Sequence, residues 1–213
     1  MVRFRPNAFG PVMVTIVPKV VRFRQGRTGR FRVTYRQLVR EKALDQHGLI
    51  TTRTAKEVKV PAVELRKLAQ RGALKNLGYG LYRLKEARPG ELDQYAEAIY
   101  RVGPLAYLMG ESVLTIYDLA LVNPKKIKVL TSRRIRTRLP EFIEVIQGRL
   151  GPDEITNIEG IPATTVARAL RDCRERIMPS RFAEALKKAQ EQGLITAGEA
   201  KSLKQANRRK IQH

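Results

Sequence analysis

Four arginines, Arg133, Arg134, Arg136 and Arg138, fall within six residues of one segment. A guanidinium presents its donors in a planar fork that matches phosphate oxygens, so such a run points to a polyanion. A second basic set, Arg66, Lys67 and Arg71, carries side chains of the kind that grip phosphates or read guanine edges. A third lies upstream, where Phe4, Phe9, Phe23 and Phe31 interleave with Arg3, Arg5, Arg22, Arg24, Arg30 and Arg32. Marks of other chemistry are scarce. His47 and His213 are the two histidines and Cys173 the one cysteine, so no His-x-x-x-His or Cys/His cluster is available for zinc. No Gly-x-x-x-x-Gly-Lys-Ser/Thr phosphate loop occurs, and Gly78-x-Gly80 lacks a third glycine. His47 reads as a helix-end cation and Cys173 as a buried small hydrophobe. The expectation is no enzyme, no metal and no cofactor.

The charge balance agrees. The 213 residues carry 42 Lys and Arg against 20 Asp and Glu, a net charge of +22. Residues 1–40 hold ten basic residues and no acid, and residues 201–213 hold five and none. A chain so charged repels itself unless a polyanion is near. Its apolar stretches are too short for a membrane helix, and Pro18 cuts off the one near the start. The chain therefore reads as soluble, with no membrane partner, cytoplasmic and nucleoid-associated.

The elements that must position these cations read as four regions. Residues 1–34 are a basic arm, disordered in part, in which 20–24 and 30–33 alternate as short strands around a hairpin at 25–29. Residues 35–88 follow as a helix–helix–helix–hairpin unit. A helix runs from Tyr35 to Gln46, closed by Gly48, and a second from Arg53 to Val58, capped by Thr51-Thr52. A third covers Pro61 to Arg71, with Leu65 and Leu68 inward and Gly72 as its stop. Residues 73–84 alternate around Gly78-Tyr79-Gly80 as a two-stranded wing. That order predicts a winged helix-turn-helix, whose third helix enters the DNA major groove. Its outward positions are Ala62, Val63, Glu64, Arg66, Lys67, Gln70 and Arg71. Arg53 would touch backbone, and Lys75, Asn76, Tyr79 and Arg83 would bring the wing to the duplex.

Arg88-Pro89-Gly90 marks a linker, and residues 89–199 read as a second domain. Helices are expected at 91–101 and 105–121, and strands at 127–131, 142–146 and 155–159. Further helices are expected from Ile161 to Arg176, from a Ser180 cap to Gln192, and from a Thr196 cap to Ala206. Gly193-Leu194-Ile195-Thr196 echoes Gly48-Leu49-Ile50-Thr51 as a helix-cap habit. Residues 200–213 form a basic tail. The fold class is α+β: the winged unit, then a mixed α/β domain with a small sheet and a helical C-terminus.

Gly48-Leu49-Ile50-Thr51, Ala55, Val60, Leu65, Leu68, Gly72, Leu74 and Gly78-Tyr79-Gly80-Leu81-Tyr82-Arg83-Leu84 together resemble the winged-helix head of the AbiEi antitoxin family. Lys59 departs from it, since a glycine often precedes the turn valine there; Ala62-Val63 departs where small polar residues are usual. The runs Gly110-Glu111-Ser112-Val113-Leu114 and Ile158 to Asp172 resemble the family's C-terminal domain. The resemblance covers residues 36–200. It implies an antitoxin that binds inverted repeats at its own promoter and represses its operon. It also implies a nucleotidyltransferase-type toxin as partner, neutralised directly or indirectly. No heptad seam is present, so the chain reads as a monomer in solution with two copies on an operator. Two alternatives stay open: an RNA-binding or ribosome-associated protein, and a DNA-binding head fused to a nuclease domain.

Overall fold

Thr34 is the cap of the first helix: its hydroxyl accepts from the Gln37 backbone amide while the Gln37 side chain accepts from the Thr34 amide. The computed structural model describes residues 33–119 and 124–211. The expected arm strands and the 25–29 hairpin lie outside the described residues. Helix α1 spans Tyr35–Leu44, strand β1 Leu49–Thr51, α2 Thr52–Glu57 and α3 Ala62–Gln70. Strands β2, Leu74–Gly78, and β3, Leu81–Leu84, complete a three-stranded antiparallel sheet in the order β1-β3-β2. A small core of Val39, Ala43, Ile50, Ala55, Val60, Leu65, Leu68, Leu74, Tyr82 and Leu84 joins helices to sheet.

The sequence accounts for these elements locally. Thr51 caps α2 through a reciprocal hydroxyl exchange with Thr54. Pro61 caps α3 without a side-chain bond, and Glu64 in the first turn complements the helix dipole. Leu65 and Leu68, one turn apart, are the two buried residues of α3, which turns its other side outward. Lys59, at the glycine position noted above, holds φ +59°, a left-handed conformation unfavourable for a side chain with a Cβ.

Helix α4, Asp93–Val102, leads into a second, five-stranded sheet of order β6-β5-β4-β8-β7. Its strands are β4 Ala106–Leu108, β5 Ile127–Thr131, β6 Ile143–Gln147, β7 Ile155–Ile158 and β8 Ile161–Thr164. The β4–β8 and β5–β6 pairs are parallel, the β4–β5 and β7–β8 pairs antiparallel. Helices α5 Glu111–Ile116, α6 Val166–Cys173, α7 Pro179–Glu191 and α8 Ala197–Ile211 accompany it. The architecture is thus mixed α+β, with small sheets and C-terminal helices. The larger core, which includes Leu108, Val129, Leu170, Phe182 and Leu186, also takes in Leu49 and Leu81 of the first sheet.

Three expectations are corrected. Residues 105–108 are not the start of a helix: Ala106–Leu108 is the central strand β4, and Gly110 caps the short α5 behind it. A three-residue run buried on both faces has no period that separates strand from helix. Ile161–Thr164 is strand β8 rather than a helix start, with Pro162 opposite Asn157 of β7 and the helix deferred to the Thr165 cap. Helix α7 is capped by Met178, leaving Ser180 inside its first turn. The two Gly-Leu-Ile-Thr echoes do share their cap: Gly48 and Gly193 have positive φ, and Thr196 exchanges bonds with Glu199 as Thr51 does with Thr54.

Candidate nucleic-acid interface

The packing of α3 decides which of its side chains reach solvent. With Leu65 and Leu68 buried, Val63, Arg66, Lys67, Gln70 and Arg71 are exposed, and Ala62 is half-buried. Lys67 is held by Glu64 one turn back, at 2.9 Å. Among the described residues, Arg66 and Arg71 form no ion pair, and neither do Arg53 at the start of α2 or Lys75 on β2.

The hairpin turn carries Tyr79 outward. Gly78, Tyr79 and Gly80 all have positive φ, and the Gly78 amide donates to the Asn76 side-chain oxygen at 2.8 Å, closing the turn from within. Tyr79 is 79% exposed, an aromatic side chain offered on a left-handed tip. A β-bulge between Asn76 and Gly78 adds twist to the strand that leads into it.

The segment between β5 and β6 crosses from one parallel strand to the next without a helix. Ile135, Leu139 and Phe142 anchor it on the larger core, while Arg133, Arg134, Arg136 and Arg138 are exposed. The Arg133 amide donates to the Thr131 hydroxyl at 3.3 Å. A cleft of about 490 Å³ joins this segment to the first sheet; Arg53, Tyr79 and Arg138 line it together with Thr52, Tyr100 and Leu105. Burial and the Glu57 carboxylate push the Tyr100 phenol above its ordinary pKa, against the opposing pull of Arg53, so Tyr100 stays a neutral hydroxyl. Tyr100 was not singled out from sequence, and Thr52 was read as part of a helix cap alone; neither carries a charge that would have drawn notice.

Arg83 is placed differently from the other fourteen candidates. Its Nη1 donates to Asp93 at 2.5 Å and its Nη2 to Glu97 at 3.3 Å, both on α4. It is the only one of the fifteen that α4 carboxylates hold.

Of the two groups read as structural, Cys173 is buried as expected, whereas the His47 side chain contacts the turn at Glu159. His47 Nε2 lies 2.8 Å from the Glu159 carbonyl oxygen. Cys173 is fully buried, and burial with Glu111 beside it pushes the thiol far up, so it remains protonated. Among the described residues, no cluster of three or more His, Cys, Asp or Glu is arranged to hold a metal, and no helix is long and apolar enough to cross a membrane.

No curated protein matches this sequence. A solved structure, the RV2827C protein from Mycobacterium tuberculosis, aligns over 81% of each chain at 15% identity with a TM-score of 0.35, a likeness too low to carry an argument. Residues 37–85, from α1 through β3, match the family described as transcriptional regulator, AbiEi antitoxin.

Proposed function

We propose that this chain is an antitoxin of the AbiEi type that binds duplex DNA and represses its own operon. In this reading residues 35–88 are a winged helix-turn-helix domain with α3 as the helix in the major groove. The carrying observation is the outward side of α3, where Arg66 and Arg71 are exposed and without ion pairs among the described residues, joined by the equally exposed and unpaired Arg53 at the cleft and Lys75 on β2. Val63 and Ala62 offer apolar contact to a thymine methyl, and Gln70 the amide geometry suited to adenine. Tyr79 and Asn76 bring the turn to the adjacent backbone. Arg133, Arg134, Arg136 and Arg138 add phosphate contacts beside it, across the cleft that Arg53 and Arg138 share. Residues 89–199 would neutralise a nucleotidyltransferase-type toxin encoded in the same operon. Two copies would load on an inverted repeat.

The test is a titration of the full chain against a labelled duplex from the region upstream of its gene. A scrambled duplex and a structured RNA are run beside it at 50 and 200 mM salt. With six to ten phosphates neutralised, affinity falls by about 10³–10⁵ between those salts, and the upstream duplex keeps its preference at both. Tightest binding to the structured RNA would overturn the reading in favour of an RNA-binding protein.

A further inference from the structure

β3 is the middle strand of the first sheet, and its side chains alternate between faces. Tyr82 and Leu84 join the core of α1–α3; Leu81, and Leu49 on the neighbouring strand, join the core of the second sheet. Arg83 stands in register with Leu49 and two residues from Leu81, on the face turned to α4. There Asp93 and Glu97, one helical turn apart, receive its two terminal nitrogens, and Glu97 also accepts from Arg101 at 2.8 Å. The Arg83 side chain is 24% exposed and its two carboxylate partners 14% and 17%. In this half-buried seam a planar guanidinium bridging two carboxylates fixes direction as well as distance.

We infer that Arg83 is a positioning residue that locks the β2–β3 hairpin to α4, and so sets where the Tyr79 turn stands relative to α3, without itself touching nucleic acid. Its functional half rests on the DNA-binding reading above; its structural half does not. The family match ends at residue 85, so the two carboxylates lie outside the matched segment.

The experiment uses the full chain in four forms: wild type, Arg83→Ala, Arg83→Lys, and the near-isosteric double variant Asp93→Asn with Glu97→Gln. The first readout needs no DNA. Hydrogen exchange in the β2–β3 hairpin is expected to rise at least about tenfold in Arg83→Ala and in the double variant, while α3 amides keep their protection. Arg83→Lys, which keeps the charge and loses the fork, is expected to recover part of that protection. Unchanged exchange in both would overturn the clamp.

The second readout is binding to the upstream duplex. A clamp predicts that Arg83→Ala and the double variant both lose preference for that duplex over scrambled DNA, with the wild-type salt slope intact. A phosphate contact predicts the opposite pattern. Arg83→Ala would then shed about one unit of slope, and removing the two carboxylates would tighten binding; that pattern would overturn the inference. If wild type binds no duplex, the functional reading fails and the exchange data alone decide the clamp.

Discussion

Two faces of one small unit carry cations of the same kind and use them in different ways. On the outward side of α3, Arg66 and Arg71 stand exposed without ion pairs among the described residues, as do Arg53 at the cleft and Lys75 on β2. On the opposite side of the sheet, Arg83 is held between Asp93 and Glu97. Deeper in the second sheet, Lys128 is likewise 2.7 Å from the Glu111 carboxylate, with both side chains largely buried. The difference lies in what surrounds each charge. A cation held by carboxylates is committed within the fold, whereas an exposed one without such a partner is hydrated and can meet an external anion. A net charge of +22 says only that many are unanswered; the packing says which.

The largest expected effect comes from removing the unanswered cations as a group. Changing Arg133, Arg134, Arg136 and Arg138 together to alanine should make the salt slope of duplex binding shallower by about three units, while leaving the melting temperature unchanged. A slope equal to wild type would take this loop out of the interface. Next in size is Arg66→Ala, expected to weaken binding to the upstream duplex by roughly 1–3 kcal/mol and to scrambled duplex by much less. An equal loss on both would make Arg66 a phosphate contact.

The answered cations should respond in stability instead. Burial alone would raise the Glu111 pKa, but the hydrogen bond and charge of Lys128, with Arg176 beyond, bring it below the usual glutamate value. A carboxyl with a depressed folded-state pKa adds stability above its unfolded value, and loses it as pH falls through the folded one. Its contribution is therefore complete at neutral pH and fades below about pH 4. Glu111→Gln should cost about 1–2 kcal/mol in urea unfolding at pH 7, and that cost should shrink at pH 3. A cost independent of pH would assign it to packing. Smallest is Lys59→Gly, which relieves a left-handed side chain and should raise stability by about 0.5–1 kcal/mol with no change in binding.

Much of the first region was legible because its signals are local. Gly48 follows α1, Thr51 caps α2, Leu65 and Leu68 set the inner side of α3, and Gly78-Tyr79-Gly80 marks the turn. Arg83 was not legible. It reads from sequence as a wing residue reaching the duplex, and whether its face of the sheet meets water or α4 is a tertiary fact. The second region was harder for the same reason. β5 is five residues long, with Ile127, Val129 and Leu130 among them, and reads at once, whereas β4 is three residues long and Pro162 disguises β8. The arginine segment was visible as charge, but its approach to Tyr79 and Arg53 across one cleft depends on sheet order.

Side-chain footprinting with hydroxyl radicals, on the full chain with and without the upstream duplex, tests the central claim most directly. Tyr79 and Val63, both exposed on the proposed interface, should lose reactivity when duplex is added. Met178, exposed at the start of α7, should keep its own. Protection of Met178 with Tyr79 and Val63 unchanged would contradict the account and move the nucleic-acid surface to the C-terminal helices.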